Sequence, residues 1–265
     1  MPAGGDSPAP AAPPAHLPAD RWALFLDLDG TLVEYAPEPN AVVVDTQLLE
    51  LLRGLVLQTA GATALVSGRN IATLDALLAP VRLPASGLHG FERRSAAGVL
   101  SRHALPSERA LLEARRLLTG VAAQDERLHL EDKGFALALH YRMIPRLESA
   151  VVSAAREAAA QVEDELELRR GFMVVELAPR DVSKAIAVSE FMSEYPFRGR
   201  LPLFVGDDLT DEPAFEWVNA AGGLSVVVNV SRPTAALAHL PSVPEVRLWL
   251  RGLFASREPS RWPAR

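Results

Sequence analysis

A continuous apolar run that ends in paired carboxylates constrains this chain more than any other feature of its sequence. The run, Ala23 to Leu26, leads directly into Asp27-Leu28-Asp29-Gly30-Thr31. Strands that are apolar on both faces are typical of parallel sheets covered by helices on both sides. We therefore predict a buried strand of an α/β domain here, with an acidic loop at its carboxyl end.

The same pattern of strand, polar loop and helix returns along the chain. A second apolar run, residues 62–66, ends in Ser67-Gly68-Arg69, and a third short strand leads into Gly87-Leu88-His89-Gly90. After a long interruption, residues 203–205 form another apolar run, which ends in Gly206-Asp207-Asp208. Strands that alternate with helices predict a doubly wound, Rossmann-like α/β core with right-handed crossovers.

The interruption has a different pattern: helix, strand pair, helix, strand pair. Closely spaced strand pairs indicate antiparallel hairpins, so we predict an inserted α+β cap domain at residues 91–179. The insertion would divide the core into residues 21–90 and 180–256. Residues 1–20, rich in Pro, Ala and Gly, are predicted to be a disordered tail, and residues 257–265 a frayed C-terminus.

Composition excludes several classes of function. The formal net charge is −6 and Lys and Arg are scattered, so we expect neither nucleic acid nor a membrane surface as a partner. The chain has no cysteine, which excludes a thiolate metal site and a cysteine nucleophile. It shows no signal-peptide pattern and no uninterrupted stretch of about 18 apolar residues. We expect a cytoplasmic monomer that acts on a small-molecule substrate.

Polar residues that follow the predicted strands are expected to meet at one edge of the sheet. Ligands bind at the carboxyl ends of parallel strands, where Asp27, Ser67 and Asp207 all lie. Asp27 and Asp29 share one side of an extended backbone, so one carboxylate can attack phosphorus while the other transfers the proton. Lys184 supplies positive charge for a phosphate, and carboxylates are ligands that Mg²⁺ prefers. The pattern predicts a magnesium-dependent phosphatase.

Each motif also has an ordinary structural explanation when taken alone. Asp-Gly is a common turn signal, and Ser67-Gly68-Arg69 fits a turn before a helix. A lone lysine on an amphipathic helix usually faces solvent, and Asp207, Asp208 and Asp211 could cap a helix. The occurrence of all four motifs in this order, each after a predicted strand, favours a catalytic centre.

The ordered motifs resemble those of a known superfamily. Asp27-Leu28-Asp29-Gly30-Thr31, Ser67, Lys184 and Gly206-Asp207-Asp208 with Asp211 resemble the haloacid dehalogenase superfamily of phosphatases. Gly87-Leu88-His89-Gly90-Phe91-Glu92, Glu131-Asp132-Lys133, His140-Tyr141-Arg142 and Glu176 with Pro179 are similar to motifs of trehalose-6-phosphate phosphatases. The resemblance spans about residues 22–250. It implies Mg²⁺-dependent hydrolysis of trehalose 6-phosphate to trehalose and phosphate through an aspartyl-phosphate, the final step of trehalose biosynthesis.

The resemblance also implies roles for individual residues. It makes Asp27 the nucleophile and Asp29 the acid and base, and it places Ser67 and Lys184 on the phosphoryl group. The expected substrate-binding residues are Arg69, His89, Glu131, Lys133, His140, Arg142 and Glu176. The expected metal-binding residues are Asp27, Asp29, Asp207, Asp208 and Asp211.

Two alternative functions stay open from the sequence. One is a phosphatase or phosphomutase of the same superfamily that acts on another sugar phosphate, because only the cap selects the sugar. The other is a non-catalytic domain: a sugar-phosphate sensor, or a receiver in which an aspartate accepts phosphate as a signal. Without the resemblance, the polar cap residues fit a solvent-facing sheet with cross-strand ion pairs. The chain also departs from the family pattern around Pro179, where Ala178, Asp181 and Ala185 replace a basic residue and two glycines.

Overall fold

The core is built on an eight-stranded sheet. The structure, a computed structural model, describes residues 10–36, 41–162, 164–171, 173–229 and 232–254. The core strands are β1 (Trp22–Leu26), β2 (Thr63–Val66), β3 (Ala85–Gly87), β4 (Glu92–Arg94), β5 (Leu100–Arg102), β10 (Leu201–Gly206), β11 (Leu224–Val228) and β12 (Ala238–Leu240). Their order is β12-β11-β10-β1-β2-β3-β4-β5. Strand β4 pairs antiparallel with both β3 and β5, and the other neighbouring strands pair in parallel.

Helices cover both faces of this sheet, which explains why β1 is apolar throughout. Leu24 and Leu26 pack on the face covered by the first, second and last core helices, whereas Ala23 and Phe25 pack on the face covered by the other two. The core helices are α1 (Thr46–Gln58), α2 (Ile71–Leu78), α5 (Lys184–Met192), α6 (Glu212–Ala220) and α7 (Val243–Leu253). None of the described helices is long and apolar enough to span a membrane.

The cap is a four-stranded antiparallel sheet with two helices on one face. Its strands are β6 (His129–Asp132), β7 (Leu137–His140), β8 (Leu166–Gly171) and β9 (Val174–Pro179), and its helices are α3 (Glu108–Ala122) and α4 (Glu148–Gln161). The strand order is β6-β7-β9-β8. The helices and one sheet face share a separate apolar core. The predicted fold class, a doubly wound core with an inserted α+β cap, is confirmed.

The predicted start of the cap at residue 91 is too early. Strands β4 and β5 extend the core sheet from β3, with Ser86 paired to Arg93, so the core continues to Arg102. The charged residues of this segment do not resemble a core strand in the sequence, because the partners that neutralise their charges are found only in the fold. Arg94 is buried, and its guanidinium donates to both carboxylate oxygens of Asp75, at 2.6 and 2.7 Å.

The prediction of a disordered tail is wrong for residues 10–20, which pack against the core. Ala11 bridges to Ala238 beside β12, and the amide of Leu17 donates to the carbonyl of Leu253 at 2.8 Å. The indole of Trp249 also donates to the carbonyl of Pro14 at 2.8 Å. Proline prevents a helix here but permits an extended segment to dock on a sheet edge. Residues 1–9 and 257–265, also predicted to lack order, lie outside the described residues.

Candidate active site

The carboxyl ends of three core strands bring the first candidate residues together. Asp27 follows β1, Ser67 follows β2 and Asp207 follows β10. Because β1 lies between β10 and β2, the three side chains start from neighbouring positions at one edge of the sheet. The amide of Asp27 donates to the carbonyl of Val205 at 3.0 Å, which continues the strand pairing into the acidic loop.

A buried lysine connects two of the acidic residues. Nζ of Lys184, the first residue of α5, lies 3.1 Å from Oδ1 of Asp27 and 2.6 Å from Oδ1 of Asp211. The side chain of Lys184 is only 2% exposed, so water hardly screens these contacts. Ser183 caps the helix and thereby fixes the backbone from which the lysine extends.

Asp211 organises the loop after β10. Its Oδ2 accepts hydrogen bonds from the amides of Asp207, at 2.9 Å, and Asp208, at 3.0 Å, while Oδ1 contacts Lys184. In return, the side chain of Asp208 caps the short turn that contains Asp211. Both carboxylate oxygens of Asp211 are therefore already used within the protein.

The electrostatics of this centre favour an additional positive charge. Burial raises the pKa of Asp27 well above its usual range, and Asp211 and Asp207 raise it further, whereas Lys184 lowers it. Burial and Asp211 also raise the pKa of Asp207, to about 7. Burial disfavours the charged form of Lys184, but Asp211 and Asp27 outweigh that effect and raise its pKa. Three carboxylates thus share a single ammonium group.

The same carboxylates fit a divalent metal ion. Asp27, Asp207 and Asp211 each place one oxygen within 4.8 Å of the others. Hard divalent cations take carboxylate oxygens as ligands. A cation among them would offset the burial and the repulsion that raise the pKa values of Asp27 and Asp207.

Asp29 is held by an arginine. Nε of Arg69 donates to Oδ2 of Asp29 at 2.6 Å, and Nη2 donates to Oδ1 at 2.7 Å. These hydrogen bonds raise the pKa of Arg69. In the same turn, the buried hydroxyl of Ser67 accepts a hydrogen bond from the Arg69 amide at 3.2 Å. The predicted proton-transfer residue is therefore ion-paired in this structure.

Two further side chains contact Asp207. The hydroxyl of Tyr35 donates to Oδ2 at 2.9 Å, and Oγ1 of Thr31 donates to Oδ1 at 3.3 Å. Sequence reasoning missed both contacts. The Thr31 hydroxyl stands within the acidic motif and could have been considered, but no motif marks Tyr35.

The predicted cap residues lie on the sheet face opposite the cap helices. Strand register places Glu131, Ala138, Glu176 and Arg169 in one row across β6, β7, β9 and β8. Nζ of Lys133 lies 2.8 Å from Oε1 of Glu176.

This face carries small apolar residues as well as polar groups. The alanines at its centre, Ala136, Ala138 and Ala178, are buried. At the edge, Nε2 of His140 lies 3.0 Å from Oε2 of Glu131. The exposed Arg142 follows β7.

Sequence reasoning missed Arg169. Its guanidinium donates to Glu167 and to the carbonyls of Pro179 and Val182, where the chain returns from the cap to the core. No motif indicated this residue, because its place opposite Glu176 follows only from the strand register.

His89 lies between the two parts of the site. It has a left-handed backbone conformation, with φ of 57° and ψ of 25°. Its ring packs on Gly68, where an added Cβ would lie 2.6 Å from Cε1 of His89. Burial lowers the pKa of His89 to about 4, with Glu176 opposing the shift and Lys184 adding to it. Its Nδ1 is buried and has no hydrogen-bond partner among the described residues.

A cavity of about 220 Å³ opens where cap and core meet. It reaches Lys184, so a ligand there would contact both parts of the protein. The core contributes His89, Ser183 and Lys184 to its wall, and the cap contributes Glu167, Arg169 and Arg170.

Comparisons with known proteins agree with this geometry. The trehalose-phosphatase family model matches residues 25–243. The chain is 43% identical to trehalose-6-phosphate phosphatase of Escherichia coli over 241 residues, which cover 91% of this chain and 90% of that protein. It is 38% identical to a probable trehalose-phosphate phosphatase of Sinorhizobium fredii, over 89% of this chain and 88% of that protein.

A solved structure shares the fold. The C-terminal domain of trehalose-6-phosphate phosphatase from C. albicans superposes with a TM-score of 0.75 at 23% identity, covering 87% of this chain and 91% of that one. The family match extends from β1 through the cap to α7, so it includes every candidate residue described above. On these grounds the chain is a phosphatase and belongs to the trehalose-phosphatase family.

Proposed function

We propose that the protein hydrolyses trehalose 6-phosphate to trehalose and inorganic phosphate through a phosphoryl group carried transiently by Asp27. The arrangement around Lys184 carries this proposal, because its buried ammonium lies between Asp27 and Asp211 beside a third carboxylate. Family membership and the relatives' names support the substrate.

In the first step, an Asp27 oxygen attacks phosphorus and the bond to the sugar oxygen breaks. Lys184 balances negative charge on the phosphoryl oxygens, and the Ser67 hydroxyl donates to one of them. Asp29 gives its proton to the departing sugar oxygen. In the second step, Asp29 takes a proton from water, which attacks phosphorus and releases phosphate with Asp27 restored.

The pairing of Asp29 with Arg69 implies a change on substrate binding. Both carboxylate oxygens of Asp29 accept hydrogen bonds from the guanidinium, whereas a general acid needs an oxygen available for the proton that it delivers. A phosphate dianion is a strong bidentate partner for arginine. We propose that the substrate phosphate draws Arg69 away and leaves Asp29 free to bind the proton it delivers.

We propose Mg²⁺ as the metal, held by side-chain oxygens of Asp27 and Asp207 and by the main-chain carbonyl of Asp29. The cation supplies positive charge that stabilises the transferring phosphoryl group. Asp211 contributes charge and positions Lys184, because its oxygens accept hydrogen bonds from that ammonium and from two backbone amides. Asp207 accepts instead from two hydroxyl groups, which can turn away from an incoming cation. Asp208 contributes charge from its capping position, and its direct coordination of the metal stays a prediction.

The cap is proposed to bind the disaccharide. Glu131, Lys133 and Glu176 offer donors and acceptors to sugar hydroxyls across the alanine centre of the sheet. His140 holds Glu131, whereas His89 and Arg142 stand at the edges of the same space. A site built from paired polar groups rejects ligands that leave those groups unpaired. The monomeric state and the cellular compartment stay predictions.

A panel of sugar phosphates tests this function. Phosphate release by the purified protein with Mg²⁺ is measured for trehalose 6-phosphate, sucrose 6-phosphate and glucose 6-phosphate. We expect kcat/KM for trehalose 6-phosphate to exceed the others by about a hundredfold or more. Phosphate release only from the other sugar phosphates would contradict the proposed substrate. Binding without phosphate release would indicate a sensor, and a requirement for a hexose bisphosphate would indicate a phosphomutase.

A further inference from the structure

A buried carboxylate outside the predicted site contacts the turn that carries Ser67 and Arg69. Oε1 of Glu92, in β4, accepts a hydrogen bond of 2.6 Å from the amide of Ile71, the first residue of α2. The Glu92 side chain is 6% exposed. The first amides of a helix have no partner within the helix, and negative charge near them is stabilising.

The surroundings of Glu92 are shaped to permit this contact. Gly87 lies opposite Glu92 in the strand register. A Cβ at Gly87 would lie 2.9 Å from the Ile71 amide nitrogen, 3.0 Å from Oε1 of Glu92 and 2.7 Å from the Arg69 carbonyl oxygen. Only a residue without a side chain leaves room for the carboxylate at this point.

Backbone contacts hold the rest of the turn. The amide of His89 donates to the carbonyl of Ser67, and the amide of Leu88 donates to the carbonyl of Arg69, both at 3.0 Å. Glu92 adds a further attachment, at the end of the turn and beyond Arg69. It is a side-chain attachment, so a single substitution can remove it.

We propose that Glu92 is a positioning residue of the phosphatase site: its carboxylate fixes the turn 67–71 and thereby aims Arg69 at Asp29 and Ser67 at the phosphate. The inference rests on the proposed function. A short hydrogen bond fixes the distance between its two partners, and a misplacement of about 1 Å in a catalytic group can cost up to about a hundredfold in rate. Glu92 itself does not touch substrate.

A second contact of Glu92 provides the competing explanation. Its Oε2 lies 3.2 Å from the guanidinium of Arg102, which is 72% exposed. If Glu92 acted only through this ion pair, loss of its charge would lower the activity, whereas a shorter side chain that no longer contacts Ile71 would not. Exposed ion pairs contribute little to stability.

Substitutions that change either the length or the charge of the Glu92 side chain test the proposal. Glu92→Gln keeps a carbonyl oxygen at the same distance and loses the charge, whereas Glu92→Asp keeps the charge and is one methylene shorter. We expect Glu92→Gln to retain kcat within about threefold, and Glu92→Asp and Glu92→Ala to lose about tenfold, with KM for trehalose 6-phosphate changed less than about twofold. Arg102→Ala, the matched control, is expected to keep wild-type kinetics.

Hydrogen exchange of the turn adds a readout independent of turnover. The Ile71 amide is expected to exchange faster in Glu92→Asp than in Glu92→Gln, at a temperature where both remain folded by circular dichroism. Full activity of Glu92→Asp together with loss in Glu92→Gln would overturn the proposal, and so would unchanged kcat in all three variants. An inactive wild-type protein would instead refute the proposed function, while exchange at Ile71 would still report on the contact.

Discussion

The guanidinium of Arg69 holds the carboxylate of Asp29 through two parallel hydrogen bonds of 2.6 and 2.7 Å. The two residues are 40 positions apart, at the ends of neighbouring strands β1 and β2. Until another anion engages the arginine, both carboxylate oxygens of Asp29 are occupied by its guanidinium. The substrate phosphate is the anion that fits the proposed reaction.

Arg69→Lys is expected to lower kcat/KM for trehalose 6-phosphate by about tenfold to a hundredfold. Lysine has one ammonium group and cannot reproduce bidentate contacts with a carboxylate or a phosphate. Steady-state kinetics of the purified variant provide the measurement.

Arg94→Lys is the matched control, because Arg94 makes the same bidentate contact with Asp75 away from the site. It is expected to lower thermal stability and to keep kcat/KM near the wild-type value. Equal kinetic losses in the two variants would show that Arg69 acts through stability alone.

Metal binding is expected to stabilise the wild-type protein and not Asp207→Asn. At a Mg²⁺ concentration of about 100 times Kd, binding adds about 2.7 kcal/mol to the free energy of unfolding, which raises Tm by roughly 5 to 10 °C in a chain of this size. Asp207→Asn removes a carboxylate from the cluster of three and is expected to abolish most of that shift. Differential scanning calorimetry with and without Mg²⁺ measures it.

Asp132→Asn controls for general loss of negative charge. Asp132 pairs with Arg115 on the cap surface, so the Mg²⁺-dependent shift in Tm is expected to remain. A full shift in Asp207→Asn would refute the assignment of the metal to this cluster.

Glu176→Gln is expected to raise KM for trehalose 6-phosphate about tenfold and to leave hydrolysis of a small aryl phosphate unchanged. Lys133 lowers the pKa of Glu176 against the effect of burial, so the pair is charged and available to sugar hydroxyls. One charge-assisted hydrogen bond is worth about 1.5 kcal/mol or more, which corresponds to about tenfold in affinity. An equal rise in KM for both substrates would show that Glu176 does not contribute to recognition of the sugar.

The burial of His89 predicts a pH dependence of stability. Its pKa falls from 6.5 to about 4 in the folded protein, so the unfolded chain binds a proton first as the pH falls. Stability from this residue is complete above about pH 6.5 and is lost as the pH falls towards 4.

His89→Asn removes this dependence and tolerates the left-handed backbone. Between pH 7 and pH 4.5 the variant is expected to lose about 2 to 3 kcal/mol less unfolding free energy than the wild-type protein. Urea unfolding at both pH values measures the difference. Equal losses of unfolding free energy in the two proteins would show that burial does not lower the pKa of His89.

Patterns that repeat along the chain made the fold predictable. The apolar run at β1 and the polar loops after β1, β2 and β10 predicted the parallel core, and the hairpin spacing predicted the cap. The β4–β5 extension was missed because Arg94 is charged, and only its contact with Asp75 makes its burial possible. A local pattern cannot reveal a partner 19 positions away.

Side-chain partners in the site were less predictable than its members. The acidic motifs indicated Asp27 and Asp207, but not that Tyr35 donates to Asp207. Arg169 and Glu92 owe their positions to strand register, which depends on the complete sheet. No motif indicated Arg169, and the motif that contains Glu92 did not reveal its contact with Ile71, so the folded geometry was needed to identify their roles.

Phosphate release from trehalose 6-phosphate by Asp27→Asn, compared with the wild-type protein at saturating Mg²⁺, tests the nucleophile and the reaction together. Asparagine keeps an oxygen that can accept a hydrogen bond from Lys184, so the fold is expected to survive. We predict steady release by the wild-type protein and a loss of at least about a thousandfold in the variant. A folded Asp27→Asn protein that retains more than about a tenth of the wild-type rate would show that Asp27 does not attack phosphorus.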